Sequence, residues 1–308
     1  MAVAARLTTT PAPGISLPYI TTAEYLTAPT GVDVSNLVRN NPGGTEAELA
    51  NKIRQATAWI NGEICGQTIA ATADTETARV ALNRDGAFVV HPRYFPILEV
   101  TSFGYGGSPQ SLVTLSDLSN LWIEPQQFTV PLTSGWTSAG PLQFGPSVRV
   151  GGKAFCQYGY VSGFPHTLLT ATASAGGTSI QVADATGILP GLTQLVIYDA
   201  GQTETVTVSS SYTLGSATVA LAVPLTYDHG QVGISVSAVP SYVKEACILL
   251  TSTLIQTRGA VALIAPAVGG VSSRYTQSGS QRSRNQKVPV DDNEELARKM
   301  LLPLTRPR

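Results

Sequence analysis

Charged side chains are scarce in this sequence of 308 residues, where they make up 13% against about a quarter in an average protein. The 19 Lys and Arg residues nearly balance the 20 Asp and Glu residues, and the net charge is −1. No overall field therefore attracts nucleic acid or an acidic membrane surface. Few charges suit a protein whose faces other subunits cover, because the centres of interfaces are depleted in charge.

Cysteines are few as well: Cys65, Cys156 and Cys247 lie far apart, and no Cys-x-x-Cys pair occurs. This pattern argues against disulfides and a zinc site, and we expect three free thiols in buried or half-buried positions. Residues 1–20 lack the apolar stretch of a signal peptide, and no apolar run reaches the length of a membrane span. We expect a soluble protein, made in a reducing cytoplasm and without a membrane partner.

Motifs that carry chemistry are missing. The histidines His91, His166 and His229 have no candidate ligand or G-x-S-x-G serine beside them, and the sequence contains no H-E-x-x-H, P-loop or G-x-G-x-x-G. We interpret each histidine as a turn or surface residue, and Asp228 as a turn residue with local hydrogen bonds. Acidic residues at 291–295 are interpreted as favourable charges at a helix start. The sequence thus predicts no enzyme, cofactor or metal site.

Helical patterns occur in four places along the chain. The first is a short capped helix from Thr21 that ends before Pro29, and the second is a helix over 45–62 with a capping box of Thr45 and Glu48. A third helix is predicted over 240–263, where the apolar residues form one broad stripe. The fourth is a short helix near the C-terminus that begins at Asp292 and stops at Pro303.

Short strands separated by Gly, Pro and Ser turns are predicted between these helices. One set lies between about 77 and 160, and a second lies in residues 166–239, a stretch without any Lys or Arg. The second set predicts an all-β sandwich or barrel inserted as a unit. We call residues 166–239 the insert. The full plan is an extended arm (1–20), a core (21–165 and 240–265), the insert, and a flexible loop, short helix and tail (266–308).

Basic residues concentrate near the C-terminus, where residues 274–308 hold eight basic and four acidic side chains, a formal charge of +4. Contact with DNA phosphates, docking on an acidic protein and a solvated tail all remain open from the residues alone. The basic residues of this tail are Arg274, Arg282, Arg284, Lys287, Arg298, Lys299, Arg306 and Arg308.

The order of several segments resembles the head-to-tail connector, or adaptor, proteins of tailed siphovirus-type bacteriophages. Tyr19–Leu26 is similar to a helix entry of that family, Ile53–Ile60 to its A-s-x-x-I-d helix and Ile97–Phe103 to its P-V-x-x-V strand. Tyr158–Pro165 is similar to its V-x-Y-x-x-G-y-P strand end, Pro240–Ala246 to its P-x-x-v-k-x-A helix and Ala297–Pro303 to its closing a-x-x-L-L-x-P segment. The insert departs from that pattern and resembles small β domains of virion proteins at 175–180 and 204–208.

This resemblance implies an α+β fold, with a helical-bundle adaptor core, a β segment and the inserted all-β domain. It implies a structural protein of the virion neck that forms a homo-oligomeric, dodecameric ring on the portal protein. Such a ring extends the channel for DNA, without sequence-specific binding, toward the next neck or tail protein. We expect the basic tail residues to contact the portal or a neighbouring subunit.

Three other functions compete with the adaptor. A neck stopper or tail terminator is dominated by β-barrels, which disagrees with the predicted helices at 45–62 and 240–263. A virion surface-binding module in the insert would need exposed aromatic residues, and the insert has only Tyr198, Tyr212 and Tyr227. A cell-wall hydrolase would need a pair of carboxylates in a cleft, and no local signature supports one.

Overall fold

The computed structural model describes residues 17–35, 37–38, 44–84, 86–131, 152–256 and 289–305. The helices in these ranges are α1 (Thr22–Thr27), α2 (Thr45–Trp59), α3 (Ser241–Gln256) and α4 (Pro289–Leu301). A π-helical turn, Ile60–Cys65, continues α2, and a 3-10 turn, Leu302–Leu304, follows α4. None of the helices in these ranges has the length and apolar character needed to cross a membrane.

The strands pair in four antiparallel sheets with the orders β1-β7-β3-β4, β2-β6-β5, β11-β10-β13-β8 and β12-β9. Their bounds are β1 (Thr72–Ala81), β2 (Ala87–Val90), β3 (Ile97–Ser108), β4 (Ser111–Thr114), β5 (Trp122–Ile123), β6 (Phe128–Pro131), β7 (Lys153–Ser162), β8 (His166–Leu168), β9 (Ser179–Gln181), β10 (Gln194–Tyr198), β11 (Glu204–Thr207), β12 (Thr218–Ala220) and β13 (Ser235–Ser237).

The predicted α+β fold with a helical-bundle core is wrong. The described residues are mostly β, and their short helices do not form a helical bundle. The helices do share one hydrophobic cluster, which we call the helix cluster. It is completed by extended segments that contribute Tyr19, Ile20, Ile69 and Val239. The apolar residues of the helices are therefore buried as predicted, but extended segments outside the helices complete their cluster.

Helix starts follow the predicted chemistry at α1 and depart from it at α2. Thr21 and Glu24 form a reciprocal capping box: the Glu24 amide donates to Thr21 Oγ1 over 3.1 Å, and the Thr21 amide donates to Glu24 Oε2 over 2.6 Å. The predicted box at Thr45 is absent, because Thr45 is already inside α2 and Gly44 occupies the N-cap. Gly66 ends the π-helical turn in the left-handed conformation, with φ of 65°.

The first two sheets enclose an aromatic core. Strand β7 lies between β1 and β3 and pairs with β1 over the full length of both strands. Phe88, Phe103, Phe128 and Tyr158 are buried and contact one another through tilted and edge-on ring pairs. These contacts make the described residues of 72–131 and 152–162 a β unit with its own hydrophobic core.

The insert has a separate hydrophobic cluster. Its members include Ile197, Leu195, Val236 and Tyr212, and all of its buried members come from 169–236. The chain enters and leaves the insert at adjacent points, because β8 pairs with β13 and the Ala238 amide donates to the Pro165 carbonyl over 2.8 Å. The insert therefore joins the rest of the chain through two neighbouring connections.

Candidate functional site at the joint of insert and helices

The sequence predicted the functional residues in the basic tail, of which Arg298 and Lys299 lie on α4. Arg298 binds Glu294 with its Nε at 3.0 Å and Nη2 at 2.8 Å, and Lys299 Nζ lies 2.7 Å from Glu295 Oε1. Both basic residues are thus paired one turn back on their own helix, which reduces the field they present. The other predicted residues, Arg274, Arg282, Arg284, Lys287, Arg306 and Arg308, lie outside the described residues.

Helix α4 is anchored through its opposite face. Ala297, Leu301 and Leu304 are buried in the helix cluster. The side-chain amide of Gln67 donates to the Leu304 carbonyl over 3.1 Å and to the Phe95 carbonyl over 3.0 Å. This anchoring leaves two apolar side chains on the outside, Leu296 at 47% exposure and Leu302 at 62%.

A buried polar network lies where the N-terminal segment, α3 and the insert meet. We call it the joint, and its members are Glu24, His166, Tyr198, Ser235, Ser237 and Lys244. Lys244 Nζ lies 2.5 Å from Glu24 Oε1, 3.4 Å from Ser235 Oγ and 3.2 Å from the centre of the Tyr198 ring. Burial lowers the pKa of Lys244, and the neighbouring Glu24 carboxylate partly offsets that effect.

The local sequence explains how the Lys244–Glu24 pair is positioned. The capping box orients Glu24, whose Oε2 accepts from the Thr21 amide while Oε1 accepts from Lys244. Lys244 stands in the first turn of α3 and contacts Tyr198 on β10 and Ser235 on β13. A desolvated ammonium on an aromatic face gains about 2 kcal/mol, so the pair and the ring together hold α3 against the insert.

His166 completes the joint as a neutral side chain. Its Nε2 lies 2.9 Å from the Pro18 carbonyl oxygen, and its Nδ1 lies 2.9 Å from Ser237 Oγ. Because a carbonyl can only accept, Nε2 carries the hydrogen and Nδ1 accepts from the Ser237 hydroxyl. Burial, with a smaller contribution from Lys244, lowers the pKa of His166 to about 4. The prediction that this histidine is a turn or surface residue is wrong.

The N-terminal segment ties the joint to the helices. The Tyr19 amide donates to Thr57 Oγ1 over 3.2 Å, the Tyr19 hydroxyl accepts from the Ile69 amide over 2.9 Å, and the same hydroxyl contacts Asn61 Oδ1. Tyr25 Oη lies 2.9 Å from Ser252 Oγ on α3. Residues 17–27 therefore contact α2, α3 and the insert at the same time.

A second buried polar cluster lies in the insert around His229. Its Nδ1 lies 3.0 Å from Asp199 Oδ2, and its Nε2 lies 2.8 Å from Glu204 Oε1. Asp228, predicted to bond locally, instead accepts from the amide of Ala175, which is 53 residues away. His229, like His166, is buried, whereas His91 is exposed as predicted.

A third cluster surrounds Glu76 on β1. Its carboxylate accepts from the Tyr160 hydroxyl over 2.6 Å, the Tyr158 hydroxyl over 3.1 Å and the Arg93 amide over 2.9 Å. Burial raises the pKa of the neighbouring Asp74, and the Glu76 charge adds to that increase. The tyrosines come from β7, so this carboxylate fastens β7 and the 91–94 loop to the edge strand β1.

The residues that the structure describes form no site for metal binding and none for thiol chemistry. No group of three or more His, Cys, Asp or Glu side chains there could hold a metal ion. All three cysteines are free and buried, as the sequence predicted. Burial raises the pKa of each of them to about 12, which keeps the thiol protonated and unreactive.

No protein-family model matches the sequence, and no curated protein is significantly similar to it.

Proposed function

We propose that this chain is a structural head-to-tail adaptor of a tailed bacteriophage. In this role it forms a homo-oligomeric, dodecameric ring on the portal protein, in the neck of the virion. The ring extends the DNA channel without sequence-specific contacts and offers a platform to the next neck or tail protein. The chain acts by assembly, without catalysis or a cofactor.

The convergence of the resembling segments is the observation that supports this proposal most. Residues from four of them are buried together in the helix cluster, although the outermost are more than 250 positions apart in the sequence. The two exceptions are Ile97–Phe103 and Tyr158–Pro165, whose buried side chains pack in the aromatic core. A shared cluster is expected if these segments form one framework that the insert interrupts. The buried members are Tyr19, Ile20, Tyr25, Ile53, Ala56, Ile60, Val243, Ala246, Ala297 and Leu301.

The joint also suits a structural role. A spacer in a ring must keep a fixed orientation relative to the framework that binds the portal. The Lys244–Glu24 pair and the His166–Pro18 hydrogen bond connect the insert to α3 and to the N-terminal segment. Breaking a buried, hydrogen-bonded charge pair is costly, so the joint resists bending of the insert against the helices.

Electron microscopy of negatively stained protein tests the proposal directly. The full chain is imaged alone and mixed with the portal protein encoded beside it. We expect rings stacked on the portal, from which the symmetry can be counted. Monomers that do not bind the portal would contradict the adaptor function and favour a stopper, a tail terminator or an accessory binding module.

A substitution in the 3-10 turn that follows α4 can locate the portal or subunit contact. Deleting residues 274–308 would also remove the buried Ala297 and Leu301 and damage the helix cluster. The exposed Leu302→Glu variant avoids that problem, and Leu192→Glu is a matched control because Leu192 is 78% exposed in the insert. We expect Leu302→Glu to abolish ring formation or docking and Leu192→Glu to retain both. Equal behaviour of the two variants would place the contact elsewhere.

A further inference from the structure

His229 has an unusual set of partners for a buried histidine. The residue is 0% exposed, and each ring nitrogen faces a carboxylate, with Asp199 at 3.0 Å and Glu204 at 2.8 Å. A neutral imidazole has one N–H and can donate to only one of them. Its other nitrogen would then direct a lone pair at a carboxylate oxygen. Both contacts are attractive when the ring carries two hydrogens or when one carboxyl is protonated.

The surroundings indicate that the ring holds the second proton. Burial raises the pKa of Glu204, but hydrogen bonds from the Thr226 amide, His229 and the Tyr227 amide lower it more, and the net pKa is below its ordinary value. Glu204 is therefore ionised. Asp199 keeps 19% of its side chain exposed, so water also solvates its charge. Both partners of His229 are accordingly acceptors.

The charge balance of the insert leads to the same conclusion. The stretch from Ala154 to Val243 contains no Lys or Arg, so the imidazole is the cation available to these two acids. Asp228, which precedes His229 in the chain, accepts from the Ala175 amide, and residues 173–175 carry no ionisable side chain. The ammonium of Lys244 is engaged with Glu24 in the joint.

We propose that Asp199, His229 and Glu204 form a proton-dependent latch, which holds three loops of the insert together while both nitrogens of the His229 ring carry hydrogen. Asp199 follows β10, Glu204 begins β11, and the backbone of His229 exchanges two hydrogen bonds with Ala173, of 2.7 and 3.0 Å. Glu204 also accepts from the amides of Thr226 and Tyr227 over 2.9 and 3.3 Å.

Loss of the proton would loosen a defined surface of the insert. A deprotonated ring repels one of its carboxylates, and the 199–204 and 225–229 loops then lose one of their shared contacts and keep the bonds from the Thr226 and Tyr227 amides to Glu204. Tyr227 and Val232, which flank His229 in the sequence, are 43% and 63% exposed. The latch thus controls how firmly the insert presents these two side chains, whether or not the chain is an adaptor.

Nitrogen NMR of the intact chain tests the protonation state. Labelling histidine with 15N gives signals from three residues only, and His229→Gln identifies the signal of His229. At pH about 7.5, well above the ordinary histidine value, we expect the imidazolium pattern for His229 and the neutral Nε2–H pattern for His166. A neutral tautomer at His229 would overturn the proposal, and His166 provides the internal control.

Amide hydrogen exchange tests the latch through its two carboxylates. In the Asp199→Asn and Glu204→Gln variants, which each leave one ring nitrogen of His229 without a carboxylate, protection of residues 199–204 and 226–229 should fall roughly tenfold or more. The exposed Asp184→Asn should behave like wild type. Wild-type protection in both latch variants would contradict the latch.

Discussion

The joint and the latch are both buried polar networks with a histidine, but they use it in opposite ways. His166 in the joint lies between a carbonyl and a hydroxyl, and burial, with a smaller contribution from Lys244, keeps it neutral. The latch has no lysine or arginine, and the proposed cation there is His229 itself. The comparison shows that burial alone does not fix the charge of a histidine, since the acceptors and donors around the ring decide it.

The largest effect is expected from breaking the joint. Lys244→Met removes the ammonium and leaves the Glu24 carboxylate, 13% exposed at its side chain, without its partner. Removing one member of a buried pair costs about 3–5 kcal/mol in the free energy of unfolding, which urea denaturation measures. The double variant Lys244→Met with Glu24→Gln should recover part of that loss. Lys52→Met is the control, because it breaks the partly exposed pair of Lys52 with Glu48 on α2. An equally small loss from Lys244→Met would contradict a structural role for the joint.

Measuring the free energy of unfolding as a function of pH tests whether His166 is neutral in the folded protein. The pKa of His166 is about 4 in the folded protein, while an unfolded histidine titrates near 6.5. The unfolded state therefore binds the proton first, and stability should fall as the pH drops from about 6.5 to 4, by roughly 3 kcal/mol. His166→Gln should remove this contribution to the slope. If the slope persists in His166→Gln, another group is responsible.

The smallest effect is expected at the rim of the latch. Asp228 is exposed and makes one hydrogen bond, to the Ala175 amide. Asp228→Asn should lower the free energy of unfolding by less than about 1 kcal/mol, because the amide oxygen can still accept. Asp199→Asn, which changes a direct partner of His229, should cost more. Equal losses in thermal denaturation would show that the loop, and not His229, provides the strength of the latch.

Local chemistry made several elements predictable from the sequence. The pattern of apolar residues predicted strands over 88–90, 195–198 and 204–208, which agree closely with β2, β10 and β11. Thr21 and Glu24 predicted the start of α1, and the scattered cysteines predicted free thiols. In each case the residues that cause the structure are neighbours in the chain.

Predictions failed where distant contacts compete with local ones. Thr45 has the right spacing from Glu48 for a capping box, but α2 begins one residue too early for that box to form. Strands β4 and β8 were not predicted, because each is short and gains its order from β3 and β13. The helical-bundle core was implied by the resemblance to adaptor proteins, and the apolar stripe of a helix does not reveal whether a helix, a strand or a loop covers it.

The sequence by itself determined the β-rich composition, the alternation of helical and strand segments, the unpaired cysteines and an insert without basic residues. Only the tertiary structure decided which side chains meet. Glu24 and Lys244 are 220 positions apart, and His166 and Pro18 are 148 positions apart, so no local spacing signals either contact. The physical reason is that charge, hydrogen bonding and burial act over a few ångströms of space, whereas sequence patterns record distance along the chain.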